Sequence, residues 1–366
     1  MIQGKQRHLF KARRQALIRQ LRARRLGGMF LSDPANIFYL TGFRGSAGVA
    51  YLGATDAVLW VDPRYTLQAR EQAWQVDIFE VKTGLVPFAG RWLNRKGRQR
   101  VGFENTHLTC QQFSQLREAA GVKVAWVPLG QALRAMRAIK DEGEIEAIRQ
   151  ACLITSQVYK GVMSQIRPGV SELELTAEIE YRMKRLRAEG PAFETIVASG
   201  CRAAMPHARP SSKLLEKGDF VILDLGAILH GYASDMTRTV YLGRPDSRIR
   251  RLYAGVQEAQ RKAVEAALPG VEARSVDATA RRVLARHRLD RYFTHSTGHG
   301  VGIEIHEEPR VAKRETARLR QGSVITVEPG IYLEGLGGVR IEDTLVVTAG
   351  GPEILTSAPK DEWVID

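Results

Sequence analysis

FVILDLGAILHGYASDMTRTVY, residues 220–241, is the stretch that decides the fold of the C-terminal half. Phe220-Val221-Ile222-Leu223-Asp224-Leu225 reads as a buried strand and Tyr232 to Tyr241 as its antiparallel partner, with His230-Gly231 supplying the turn. With a loop from Ile228 to Gly231, Asp224 and Asp235 fall directly opposite each other. Facing residues on such a pair have Cβ atoms about 4.5–5.5 Å apart. Two carboxylates at that distance repel unless a cation lies between them, and a metal is the simplest such cation.

A second pair of acids repeats the pattern. Val324 to Glu328 and Gly338 to Glu342 read as strands around a turn centred on Gly335, which sets Glu328 opposite Glu342. A carboxylate buried on an apolar strand without compensation either destabilises the fold or titrates to the neutral acid. One divalent ion offsets only two of these four charges. His299 lies in Gly298-His299-Gly300-Val301-Gly302, where flanking glycines let the backbone approach a site closely and leave the imidazole free to project. An imidazole with four carboxylates suits Mn, Co, Zn or Fe and is a poor set for Cu(I). No cysteine stands beside these positions, which argues against a structural zinc knot.

Taken singly, an acid here is more often a solvated surface group and a lone histidine more often a structural one; the five together carry the reading. The glycine-rich segment is not a dinucleotide loop, because Ile303 to His306 follows with strand-like alternation instead of a helix. His306-Glu307-Glu308-Pro309 is not a zincin motif either. It has no second histidine one turn on, and Pro309 would break the helix.

In this order and spacing, Ala198-Ser199-Gly200 through Pro206-His207, Asp224-Leu225-Gly226, Ser234 to Thr239, His295 to Gly302, His306 to Pro309, Val327 to Gly330 and Val339 to Asp343 resemble the creatinase/aminopeptidase P/prolidase family of "pita-bread" metallopeptidases. Asn36 to Phe43 and Asp62-Pro63-Arg64-Tyr65 resemble the family's smaller N-terminal domain. The resemblance implies an α/β creatinase-like domain followed by an α+β pita-bread catalytic domain. It implies that Asp224, Asp235, His299, Glu328 and Glu342 bind two divalent metal ions, with Asp235 and Glu342 bridging; manganese is the first expectation, cobalt or zinc the alternatives.

The implied chemistry is hydrolysis of the bond before proline by a hydroxide shared between the metals. No Ser, Cys or Thr nucleophile is needed. Glu328 is the expected proton acceptor and donor, with His207 and His306 beside the substrate. His295, four residues before His299, stays outside this set. Arg340 and Arg310 are candidates for a substrate carboxylate, although Arg340, on the same strand face as Glu342, equally fits a role in packing the ligand carboxylates. An Xaa-Pro dipeptidase and an aminopeptidase P both fit. A homodimer is expected from the same resemblance. The alternative is a catalytically silent pita-bread binding protein, with its basic surface available to nucleic acid.

A chain of 366 residues with 44% hydrophobic content is long enough for two cores. The expected boundary falls between Gly130 and Ala138, giving domains 1–134 and 135–366, ahead of a helix beginning at Glu142. The formal net charge is +14. Lys5, Arg7, Lys11, Arg13, Arg14, Arg19, Arg22, Arg24 and Arg25 crowd a first segment with no acid before Asp33. They interleave with Leu9, Phe10, Leu17, Ile18 and Leu21 as on a helix packed by one face, and no aromatic stacking motif accompanies them. No stretch approaches the ~20 apolar residues of a membrane span, and the creatinase-like domain is expected to begin near His8, leaving little room for a removable leader. Cys110, Cys152 and Cys201 form an odd set without metal spacing, as expected of reduced thiols in a cytoplasm.

Overall fold

Residues 2–366 are described by a computed structural model, and the chain divides between Met136 and Arg137 into two units. In the first unit the elements follow as α1 (Ile2–Ala23), β1 (Gly28–Leu31), α2 (Pro34–Thr41), β2 (Gly48–Gly53), β3 (Ala57–Val61), α3 (Thr66–Gln72), β4 (Asp77–Glu80), α4 (Leu85–Arg95), β5 (Gln99–Phe103), α5 (Cys110–Ala120) and β6 (Val124–Pro128). The strands make one sheet in the order β4-β3-β2-β1-β5-β6. Alternate residues of β1, β2 and β3 (Phe30, Val49, Tyr51, Val58, Trp60) pack with Val86, Ala89 and Leu93 of α4 and Leu116 and Ala120 of α5, as the period of two along a strand requires.

The basic helix α1 packs Leu17 and Leu21 inward, and two of its arginines go in with them. Arg13 donates to Tyr39 O, and Arg14 to Leu40 O and Trp74 O. These two guanidiniums satisfy carbonyls at the end of α2 and beyond α3, so they are structural groups and not part of an exposed basic face. The side chains of Lys5 and Arg7 lie outside the described ones.

The second unit contains α7 (Glu142–Val162), α8 (Glu172–Arg185), α9 (Ser247–Glu265) and α10 (Ala273–Arg286), with α6 (Gly130–Arg137) spanning the division. Its strands are β7 (Gly190–Pro191), β8 (Ile196–Ser199), β9 (Phe220–Leu225), β10 (Ala227–Leu229), β11 (Tyr232–Ala233), β12 (Met236–Leu242), β13 (Gly298–Gly300), β14 (Glu307–Val311), β15 (Val324–Val327), β16 (Gly330–Leu333), β17 (Gly337–Arg340), β18 (Asp343–Thr348), β19 (Gly351–Ile354) and β20 (Val364–Ile365). They form four sheets, ordered β11-β10-β7, β20-β12-β9-β8, β14-β13-β15-β18-β19 and β16-β17. Along β9, Val221, Leu223 and Leu225 pack with α7 and α8, while Phe220 and Ile222 face α9 and α10. Asp224 continues this second face.

The two hairpins differ in how their registers compare with the sequence reading. Glu328 and Glu342 do lie in the facing register, since Val327↔Asp343 and Gly330↔Arg340 continue through them. Asp224 does not face Asp235. It pairs with Thr237, and Asp235 lies two residues away on the diagonal. The cause is the turn: Leu229 pairs with Tyr232, leaving only His230 and Gly231 as the loop. Both have positive φ, 53° and 79°, the two-residue hairpin geometry that suits strand twist. A second correction concerns Ile303 to His306, which is a bend and not a strand. Gly302 N–H donates to Glu304 O, and Glu304 N–H to the Glu307 carboxylate, closing a turn before β14 begins.

In the first unit, the carboxylate of Glu104 accepts from the Ser32 and Asp33 amides at 2.6 and 2.7 Å and from Asn36 Nδ2 at 2.7 Å, fastening the start of α2 to the end of β5. Burial pushes this carboxyl from its ordinary 4.5 up to about 7, against the pull of those amides. The folded state then keeps a proton that the unfolded chain has lost, so stability is full below about 4.5 and falls as pH rises to about 7. Carbon-detected NMR of Glu104 is expected to titrate near 7, and a midpoint at or below 4.5 would reverse the predicted sign.

Candidate metal centre

Four of the five candidate ligands stand at or beside interruptions in strand pairing. Asp235 lies between β11 and β12, Glu328 between β15 and β16, Glu342 between β17 and β18, and Asp224 one residue from the end of β9. At these breaks the backbone turns to the other hairpin for partners. Glu342 N–H donates to Thr237 O at 3.1 Å, Arg340 N–H to Thr239 Oγ1 at 3.0 Å, and Thr344 Oγ1 to Asp235 O at 2.7 Å. Glu328 N–H donates to Thr297 O at 2.7 Å, which ties in the segment carrying His299. Because every buried amide needs an acceptor, these cross-links close the pocket around the acids.

Asp235, His299 and Glu342 each offer one ligand atom, and the three atoms lie within 4.8 Å of one another. The imidazole of His299 is oriented by its own neighbour: Gly300 O, which can only accept, lies 3.0 Å from Nδ1. Nδ1 therefore carries the proton, and the lone pair of Nε2 points inward. There it meets Asp235 Oδ2 at 3.5 Å and Glu328 Oε1 at 3.6 Å. Three electron-rich atoms face one another across a gap that becomes favourable when a cation or a carboxyl proton lies in it. Gly298 allows this approach, since a Cβ there would sit 2.0 Å from Thr326 O.

Electrostatics agree with the geometry. Burial, then the charges of Glu342, Asp224 and Glu328, pushes Asp235 well above the carboxylate range. Burial and the charges of Glu328 and Asp224 do the same to Glu342. Glu328 is pushed up to about 8 by burial with Asp224 adding to it, against the pull of Arg340. Burial holds His299 down at about 4, so its imidazole is neutral at physiological pH. A buried Oδ1 of Asp224 has no hydrogen-bond partner among the described residues, although such atoms nearly always have one. The donor set, one neutral imidazole and four oxygen ligands, fits divalent first-row metals.

Around this cluster lie the other candidates. The His306 ring sits 4.3 Å from that of His299, centroid to centroid. His207 is exposed, and it follows Pro206, whose carbonyl accepts from Arg340 at 3.2 Å. Arg310 is exposed on β14. Arg340, by contrast, is buried, and its guanidinium donates to Asp224 Oδ2 at 2.6 Å, Thr237 Oγ1 at 3.0 Å, Tyr332 Oη at 2.8 Å and Pro206 O at 3.2 Å. It is taken up in holding Asp224. Tyr332 passes the connection on to His295 Nε2 at 2.8 Å. Thr237, which donates to Glu342 Oε2 at 2.7 Å, and Tyr332 were not singled out from the sequence. Thr237 was discoverable, because it stands two residues from Asp235 and so shares its strand face.

Residues 146–349 match Metallopeptidase family M24, and residues 13–139 match the Creatinase/Prolidase N-terminal domain. The chain belongs to metallopeptidase family M24. As an M24 member it is a peptidase whose family works with divalent metal ions, and its fold is the pita-bread fold preceded by a creatinase-type domain. It is 37% identical over 352 residues to an Xaa-Pro dipeptidase of Pyrococcus furiosus, covering 96% of this chain and 99% of the relative. Its structure resembles an Xaa-Pro dipeptidase from Bacillus anthracis with a TM-score of 0.93 at 36% identity, covering 97% and 100% of the two chains. It also resembles an X-Pro aminopeptidase from Thermotoga maritima, with a TM-score of 0.89 at 35% identity and coverage of 96% and 100%. No helix among the described residues is long and apolar enough to cross a membrane.

If like-charge crowding dominates the metal-free pocket, Asp235→Asn should stabilise the metal-free protein. The expected gain is about 1–2 kcal/mol, or roughly 2–6 °C in Tm for a unit of this size. The same variant should lose most of the stabilisation that added Mn gives the wild type. Scanning calorimetry with and without chelator checks both, and a destabilised metal-free variant would contradict the crowding argument.

Proposed function

We propose that this M24 metallopeptidase hydrolyses the peptide bond before proline, in Xaa-Pro dipeptides or at the N-terminus of short Xaa-Pro peptides. The observation that carries the reading is the closed, buried cluster of Asp235, His299 and Glu342, with Asp224 and Glu328 completing the donor set. Full-length similarity to proteins named Xaa-Pro dipeptidase supports the substrate class. In this reading Asp224, Asp235, His299, Glu328 and Glu342 would hold two divalent ions, Mn before Co or Zn. Bound there, the ions would acidify a water molecule and polarise the scissile carbonyl.

The protein's own groups then have distinct tasks. Glu328 takes the proton of the attacking water and delivers it to the departing nitrogen. That delivery is needed because the departing nitrogen leaves as a neutral amine only once protonated. His306 and His207 donate N–H groups that stabilise the oxyanion developing on the scissile carbonyl and hold the carbonyls flanking the bond. Arg340 holds Asp224 in place through its 2.6 Å contact, which leaves Arg310 as an exposed guanidinium available to a substrate carboxylate. A homodimer belongs to the same proposal on the strength of the family resemblance.

Metal-stripped protein reconstituted separately with Mn, Co and Zn should cleave an Xaa-Pro dipeptide, an Xaa-Pro-Xaa tripeptide or both, read as released amino acids. Dipeptide-only turnover identifies a dipeptidase, and tripeptide turnover an aminopeptidase. Silence on both substrates with metal bound would contradict the proposal. Glu328→Gln should lower kcat by ~10²–10⁴-fold with an unchanged circular dichroism spectrum; undiminished turnover would remove Glu328 from the proton path.

A further inference from the structure

His207 stands on a loop, and an exposed loop is a poor platform for a group that must meet a transition state. The loop runs from Ser199 at the end of β8, through a 3-10 turn at Gly200–Ala204, to Ser211. Both of its ends are held by one side chain that belongs to neither the loop nor the metal pocket.

That side chain is Glu172, the first residue of α8 and 0% exposed. Its Oε1 accepts from Ser199 N at 2.8 Å and Ser199 Oγ at 3.0 Å. Its Oε2 accepts from Ser211 N at 3.0 Å and Ser211 Oγ at 2.7 Å. Arg202 Nε, inside the loop, donates to Oε2 at 3.0 Å. One oxygen therefore takes each end of the loop, and the arginine between them compensates the buried charge. Capping of α8 does not need this carboxylate, because Ser171 and Glu174 form the capping box. The crown of the loop is fixed separately: Arg340 donates to Pro206 O beside His207, and a Cβ at Gly338 would lie 2.2 Å from Ala203 O.

We propose that Glu172 is a positioning residue for His207: by closing the loop at both ends, it sets where the imidazole meets the substrate carbonyl. The inference rests on the role proposed above for His207. Only a carboxylate offers two acceptors; the amide of a glutamine would present N–H groups to the donors at one end. Glu172→Gln should loosen the clamp by removing the side-chain bonds at one end, while the backbone bonds Glu172 N–H to Lys213 O and Leu173 N–H to Ser211 O keep α8 docked.

The test is a double-mutant cycle in the metal-loaded enzyme on an Xaa-Pro substrate. Glu172→Gln should lower kcat/KM by roughly 10- to 100-fold, the scale of loss from an ångström-level misplacement, and should cost almost nothing further in a His207→Ala background. Independently of activity, hydrogen exchange should rise across residues 199–211 and stay unchanged in α8 and β9. An equal fractional loss in both backgrounds, no loss at all, or exchange spreading through α8 and β9 would overturn the proposal. Undiminished turnover in His207→Ala would overturn the role of His207 itself. A costly His207→Ala combined with an equal Glu172 loss in both backgrounds would remove only Glu172. Should Glu172→Gln not fold, Ser211→Ala, which deletes a single donor from the same clamp, runs the same cycle with the same deciding outcomes.

Discussion

The constraint on which the rest of the second unit depends is the repulsion among acids that the chain places together out of water. Asp224, Asp235, Glu328 and Glu342 converge on a pocket where burial and mutual charge push three of them upward. Among the described residues one guanidinium, that of Arg340, forms an ion pair with these acids, to Asp224 at 2.6 Å. Such an arrangement is unfavourable as a structural device, since apolar residues of similar volume would pack without desolvating charge. Its persistence is understandable as a cation site, where the same crowding becomes affinity.

Breaks in strand pairing are how the fold brings the acids together. Continuous strands would have kept each hairpin in its own sheet. Instead the pairing stops at Asp235, Glu328 and Glu342, and the freed backbone groups bond across to the opposite hairpin. Side chains then extend the linkage. Thr237 bridges Glu342 and Arg340, and Arg340 connects to Tyr332 and through it to His295. Glu307, next to His306, is gripped by Arg137 and Lys140, with Arg137 also reaching Glu304. His295 is thus held by a hydrogen bond from within the pocket wall, and the segment after His306 by the ion pairs of Glu307, the kind of supporting contact that fixes a site's geometry.

What could be read from the sequence was what local periodicity encodes. Apolar runs along 220–225 and 324–328 located the strands, and an acid within an otherwise apolar run marked itself as anomalous. Glycines on both sides of His299 marked a close backbone approach. The register of the first hairpin was misread by two residues because loop length was assumed, whereas His230 and Gly231 accept positive φ and close a shorter turn. Arg340 was legible as a residue facing the acids, but the choice between substrate and Asp224 needed distances. Glu172 and the Arg137–Lys140–Glu307 group were not legible at all. Their partners lie 27, 39 and about 170 positions away, and nothing in a local pattern announces such pairings. The same holds for Arg13 and Arg14, whose carbonyl partners make two of the N-terminal basic residues part of the packing.

The central claim is that the acid cluster exists to hold metal. Anomalous diffraction from crystals of Mn-reconstituted protein, collected on both sides of the manganese absorption edge, tests it without reference to turnover. Two peaks about 3.5–4 Å apart, bounded by Asp224, Asp235, His299, Glu328 and Glu342, are the predicted result. An empty pocket in crystals that hold manganese elsewhere would contradict the account.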